Sequence, residues 1–208
     1  ERQLLEPNLM ALLDAMYDGY QGLYDVYSGD TRFEDALFDV DLYVSVAISL
    51  LYGGSYLPQK HDHVKYDELM QGIENEVLLN TELFTESRKR KLDLSQFTPR
   101  GHYNKIFYTP DGPQTLENYF KAMMWLGRID FLLTAPPENP WEPDWTDDEL
   151  RRMQLGALLL NELLYTCGTQ KNLDMHEQII EFLVGPDDNM TPDELKSLYD
   201  QILTSPKV

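Results

Sequence analysis

The chain has 208 residues, 42% of them apolar and 12% aromatic, enough for a sizeable core in one large domain or two small ones. Its 36 acidic and 17 basic side chains leave a formal net charge of −19, which opposes nucleic acid and anionic lipid and sets both aside as partners. Cys167 is the only cysteine, so an intrachain disulfide and any cysteine-built zinc or iron–sulfur site are excluded.

No apolar run reaches the ~18 residues a membrane-spanning helix needs, and no membrane insertion by this segment is expected. The chain opens at Glu1 without Met, signal peptide or lipid-attachment cysteine. It therefore reads as a processed or excised piece of a longer protein.

Leu5, Leu9, Leu12, Leu13, Met16, Tyr20, Leu23, Tyr24 and Tyr27 recur at three- and four-residue steps, the period of an amphipathic helix that Ser28-Gly29-Asp30 ends. A second pattern runs from about Phe33 to Leu51 and closes at Gly53-Gly54. The short connection predicts an antiparallel pair. A third helix is expected over Val64 to Leu79, with Asp62 as its N-cap. The basic cluster Arg88-Lys89-Arg90-Lys91 reads as a solvated loop or an intramolecular partner for carboxylates.

From Asp93 to Gln114 the breakers Pro99, Gly101, Pro110, Gly112 and Pro113 predict a long loop, with a short strand at Lys105 to Tyr108 entering a turn. Leu116 to Leu133 carries large apolar residues on more than one stripe, and is expected to be the buried central helix that the others cover. A Pro/Trp connector follows, whose Trp141 and Trp145 are expected to pack on the helical body. Thr146 with Glu149 forms a capping box for a helix ending at Gly168. Another helix starts at Asn172 or Asp174 and runs to Val184, and Thr191-Pro192-Asp193-Glu194 opens a last one to about Leu203.

About seven helices, hardly any strand and one long loop predict an all-α fold of antiparallel helix pairs around a central helix, without a domain boundary. A toroid- or solenoid-like curve is open to such stacked hairpins.

Phe97-Thr98-Pro99-Arg100-Gly101-His102-Tyr103, followed by the run from Leu116 to Arg128 (LENYFKAMMWLGR), resembles the signature of domain-of-unknown-function family 3160. Phe182 to Pro192 (FLVGPDDNMTP) resembles a later motif of the same family. The likeness extends over most of the chain. It carries no established activity, and implies the C-terminal portion of a long secreted or lipid-anchored bacterial envelope protein. The localisation implied is periplasmic or at the outer-membrane surface.

Arg100-Gly101-His102-Tyr103 combines a permanent cation, a residue that permits positive φ, an imidazole and a phenol. His102 is the candidate general acid–base, and Arg100 a candidate bidentate clamp for a carboxylate. The structural alternative is a loop pinned to the core, with Arg100 paired to an acid and His102 bonded to backbone. Trp125 and Arg128, three apart on a helix, are candidates for one wall of a cleft, against the alternative that Trp125 is core.

His61-Asp62-His63 lacks the third or fourth ligand of a metal site, and Asp187-Asp188-Asn189 lacks the spacing of a calcium loop. No metal or cofactor is assigned. Arg100, His102, Tyr103, Trp125 and Arg128 thus define the expected site of a glycan- or peptide-binding module. The alternatives are a glycan or peptide hydrolase using His102, or a structural domain with the function elsewhere in the chain; the remainder of its own longer chain is the other expected partner.

Overall fold

The computed structural model describes residues 1–86, 88–110, 112–137, 144–185 and 190–204. Among them are seven α-helices: α1 (Leu5–Tyr27), α2 (Glu34–Tyr52), α3 (Val64–Glu74), α4 (Glu117–Arg128), α5 (Asp147–Thr166), α6 (Gln170–Val184) and α7 (Pro192–Thr204). Two antiparallel hairpins accompany them, β1 (Leu78–Glu82) with β2 (Lys89–Asp93) and β3 (Phe107–Thr109) with β4 (Gly112–Gln114). The fold is mostly helical with two small sheets.

The expected central helix is displaced. From Ala36 to Leu51 only Phe38 escapes burial, so α2 is enclosed almost all round. It packs against α1, α3, α4 and α5. By contrast, α4 stops at Arg128 and buries one face through Tyr119, Ala122 and Trp125. Arg90 explains the early end: its guanidinium donates to the carbonyl of Asp130 at 3.0 Å and to its carboxylate at 2.7 Å, holding the chain beyond Ile129 out of helical geometry. Of the apolar residues that follow, Ile129 is buried while Phe131, Leu132 and Leu133 are half-buried outside any helix, and Phe131 stacks on Phe84 at 4.3 Å.

Two polar positions inside α2 hold their neighbours. Asp39 receives two hydrogen bonds from Arg152 of α5, at 2.7 and 2.8 Å. Asp41, 1% exposed, accepts the backbone N–H groups of Gln59, Lys60 and His61 at 2.9, 2.7 and 3.2 Å. A buried carboxylate is tolerable only when its lone pairs are so satisfied.

The segment expected to continue the third helix to Leu79 turns instead into β1, which pairs with the basic cluster. β-branched Val77 and Thr81 and the left-handed Glu76 (φ 54°) favour that exit. Arg88 pairs with Glu149 at 3.4 Å and covers the Trp145 ring at 4.2 Å, so the cluster serves internal carboxylates in part. Lys89 and Lys91 face solvent.

Both capping boxes form, Thr146 with Glu149 and Thr191 with Glu194. The sixth helix begins at Gln170, a little ahead of the expected start. Asp62 accepts the N–H of Val64 at 3.0 Å although His63 is the capping residue of α3. Trp141 and the Asp187-Asp188-Asn189 run lie outside the described residues.

Candidate functional site around the Arg100–Tyr103 turn

The loop before α4 is anchored at both ends. Asp93 caps a 3-10 turn, Leu94–Phe97, whose Leu94 and Phe97 enter the core. Beyond Pro99 the chain is extended at Arg100, and Gly101 then adopts φ 66°, the left-handed conformation its lack of a Cβ permits. A second 3-10 turn, Gly101–Asn104, follows. The carbonyl of Tyr103 accepts the N–H of Leu116 at 3.1 Å, and its ring packs on Phe120 of α4 at 4.8 Å. The turn is thereby fixed to the start of α4.

The N-terminal residues complete the site. One carboxylate oxygen of Glu1 lies 2.6 Å from His102 Nε2, and the other accepts the Tyr103 hydroxyl at 3.0 Å. Arg2 places its guanidinium over the Phe107 ring at 4.3 Å. Burial, then the bond to Glu1 and its charge, pushes the Tyr103 phenol up to about 12, so that hydroxyl remains a donor at neutral pH. The His102 and Tyr103 rings lie 4.1 Å apart at a tilt of 33°, and both contact the one Glu1 carboxylate.

Arg100 is exposed, with no hydrogen bond or ion pair among the described residues. Lys105 and Ile106 beside it are exposed as well, and Tyr108 is 82% exposed. On a chain of net charge −19, this turn therefore presents cations and apolar side chains together.

Two expected residues stand apart. Trp125 is 0% exposed and its indole N–H donates to the Tyr43 carbonyl at 3.0 Å, so it is a core residue rather than a cleft wall. Its size and apolar helix setting make that the favourable place for it. Arg128 is exposed at the end of α4, where its charge helps lower the Asp93 carboxyl after the bonds from Ser95 and Gln96. Arg100, His102 and Tyr103 share one turn, of which His102 and Tyr103 meet on the Glu1 carboxylate, whereas Trp125 belongs to the core beside Tyr43.

Behind the turn, the Tyr119 hydroxyl and His176 Nε2 lie 3.2 Å apart, with His176 6% exposed. Burial lowers the His176 pKa and keeps the imidazole neutral, while burial and then the charge of Glu1 raise Tyr119. Neither Glu1 nor His176 stands close in sequence to the turn, and neither carries a motif. Elsewhere, His61 packs edge-on against Phe38 at 5.1 Å. Among the described residues no group of three or more His, Cys, Asp or Glu side chains is placed to hold a metal ion.

These observations define a mainly helical protein with a cationic, aromatic turn that grips a carboxylate. The chain belongs to the family described as protein of unknown function DUF3160, whose model matches residues 1–207. Comparisons with curated proteins and with solved structures give no match. No helix among the described residues is long and apolar enough to cross a membrane.

Proposed function

We propose that this chain is a binding module that takes a carboxylate-bearing peptide on the Arg100–Tyr103 turn. The observation that carries the reading is the Glu1 carboxylate held by His102 at 2.6 Å and Tyr103 at 3.0 Å, with Arg100 open beside it. Residues Glu1 and Arg2 occupy the turn as a peptide ligand would, one through its carboxylate and the other on Phe107. Arg100 supplies the bidentate donor for a second carboxylate oxygen pair. Ile106 and Tyr108 supply apolar contact area.

A second reading, a hydrolase of peptide or glycan, draws on the same His102–Glu1 contact, since a carboxylate that orients an imidazole is half of a general-base arrangement. The binding reading has the better support. The His102 imidazole has the Glu1 carboxylate as its sole side-chain hydrogen-bond partner among the described residues.

Thermal-shift titration with a short glutamate-rich peptide, a uronic-acid oligosaccharide and a neutral oligosaccharide tests the reading. The peptide at 100 times its Kd adds about 2.7 kcal/mol to the parent. Arg100→Ala and His102→Ala variants that fold normally lose that shift. Equal shifts in parent and variants, or a response to the oligosaccharides alone, would overturn it. Turnover of the stabilising ligand would move the assignment to the hydrolase.

The family resemblance further supports placing the chain in a longer, secreted or lipid-anchored envelope protein. In such a protein helix pairs like α1 and α2 would repeat in a curved, toroid- or solenoid-like stack. Cell fractionation with an antibody against this chain checks the location. Recovery in the cytoplasm would count against it.

A further inference from the structure

The first two residues meet the Arg100–Tyr103 turn as a pair. Glu1 gives its carboxylate to His102 and Tyr103, and Arg2 lays its guanidinium 4.3 Å from the centre of the Phe107 ring. Among the described residues Arg2 makes no hydrogen bond or ion pair, so that ring is what holds it.

The backbone behind the pair is tied down separately. The Glu1 carbonyl accepts the N–H groups of Leu4 and Glu6 at 3.2 and 3.0 Å, and Leu5 is buried where α1 begins. Both side chains are thus presented from a fixed base, and rotation about their own bonds vacates the turn without unwinding α1. Neither carboxylate nor imidazole is sealed in, the His102 side chain being 54% exposed and that of Glu1 27%. A carboxylate arriving from solvent reaches the same donors.

We infer, resting on the binding reading above, that Glu1 and Arg2 are a resident occupant of the turn, and that the ligand displacing them is a peptide with an acid followed directly by a base. His102 and Tyr103 take the acid, and Phe107 takes the base. Phe107 is then the residue that sets the order, because a π face attracts a cation and offers a carboxylate nothing. Long-range charge favours the same ligand. On a chain of net charge −19 a purely acidic peptide is repelled as it approaches, whereas an adjacent acid and base cancel.

Occupancy from within lowers the affinity for anything outside. A group tethered beside its site acts at an effective concentration in the mM range, and a site open about a tenth of the time binds about tenfold more weakly.

Acetyl-Ala-Glu-Arg-Ala-amide is the probe, and acetyl-Ala-Arg-Glu-Ala-amide controls for order, each titrated into the full chain and followed by NMR. Glu1→Ala keeps the backbone carbonyl and its bonds to α1, and should bind the probe about tenfold more tightly than the parent. In the parent, nuclear Overhauser contacts between the Arg2 side chain and the Phe107 ring should vanish as the probe saturates. The probe should bind about threefold more tightly than the reversed peptide, and Phe107→Leu, which keeps apolar bulk but removes the ring, should erase that preference. Equal affinity of the parent and Glu1→Ala chains, Arg2–Phe107 contacts that persist at saturation, or equal binding of the two peptides would each overturn the inference. If Arg100→Ala still weakens the probe in those cases, the binding reading survives without it. Binding by neither the parent nor the Glu1→Ala chain would overturn both together. Should Phe107→Leu fail to fold, the Glu1→Ala comparison and the Arg2 contacts decide.

Discussion

Arg152 and Asp39 form a bidentate pair in the interior, two N–H···O bonds of 2.7 and 2.8 Å joining α5 to the most enclosed helix of the fold. Burial pushes the Asp39 carboxyl up and the guanidinium pulls it back. Arg152→Met removes that counterweight, and is expected to cost about 3–5 kcal/mol because a buried charge is stranded. Pairing it with Asp39→Leu should recover most of the loss. Chemical denaturation of the two variants checks this, and a double variant no better than the single would refute it.

Gly156 of α5 faces Phe131, and a Cβ at that position would sit 2.5 Å from the Phe131 ring. Because Phe131 is stacked on Phe84 at 4.3 Å it has nowhere to retreat. Gly156→Ala should destabilise by about 1–3 kcal/mol in spite of its better helix propensity. A shorter side chain in Phe131→Leu should relieve part of that cost, which calorimetry of the double variant would reveal.

Glu149 closes the capping box of α5 and also meets Thr85 at 3.2 Å and Arg88 at 3.4 Å. Thr146→Ala should cost about 1 kcal/mol, the worth of a cap. Glu149→Ala should cost more, since it strips the cap and leaves Arg88 without that carboxylate. Equal losses would mean the cap is the whole contribution.

His176 imposes a pH dependence whose sign is fixed by its burial. Its pKa in the folded chain lies below the ordinary 6.5. On acidification the unfolded chain takes up the proton first, so stability falls as pH drops from about 6.5 toward the lowered value. Carboxylates with lowered pKa, such as Glu68 and Glu194, start from 4.5 and lose their contribution only at lower pH. Replacing His176 by Gln should flatten the stability profile in the window just below about pH 6.5. A slope unchanged in that window would assign it to other groups.

Much of the helical frame is legible in the sequence because caps and breakers are local. Thr146, Glu149, Thr191 and Glu194 need only each other to mark two helix starts, and both boxes form. The rank of the helices is a different matter. Leu116 to Leu133 outweighs other segments in bulk, but Arg90, about forty residues away, takes the Asp130 carbonyl and ends the helix. The acidic pair in the apolar run of α2 was the available signal, since Asp39 and Asp41 amid Val and Leu imply partners brought from elsewhere. Gly101 announces its turn, whereas Glu1 meets His102 only through tertiary packing.

Asp39 and Asp41 are two positions apart on α2, and so project about 200° from one another around its axis. One is clasped by a guanidinium from α5, the other by three amides of residues 59–61. Leucine and valine faces tolerate a helix that slips by a turn or rolls against its neighbours, because one methyl contact replaces another. Charged contacts allow no such substitution. The two aspartates therefore act as opposed keys in a lock, admitting α2 in a single registry and giving an otherwise greasy rod only one way to sit.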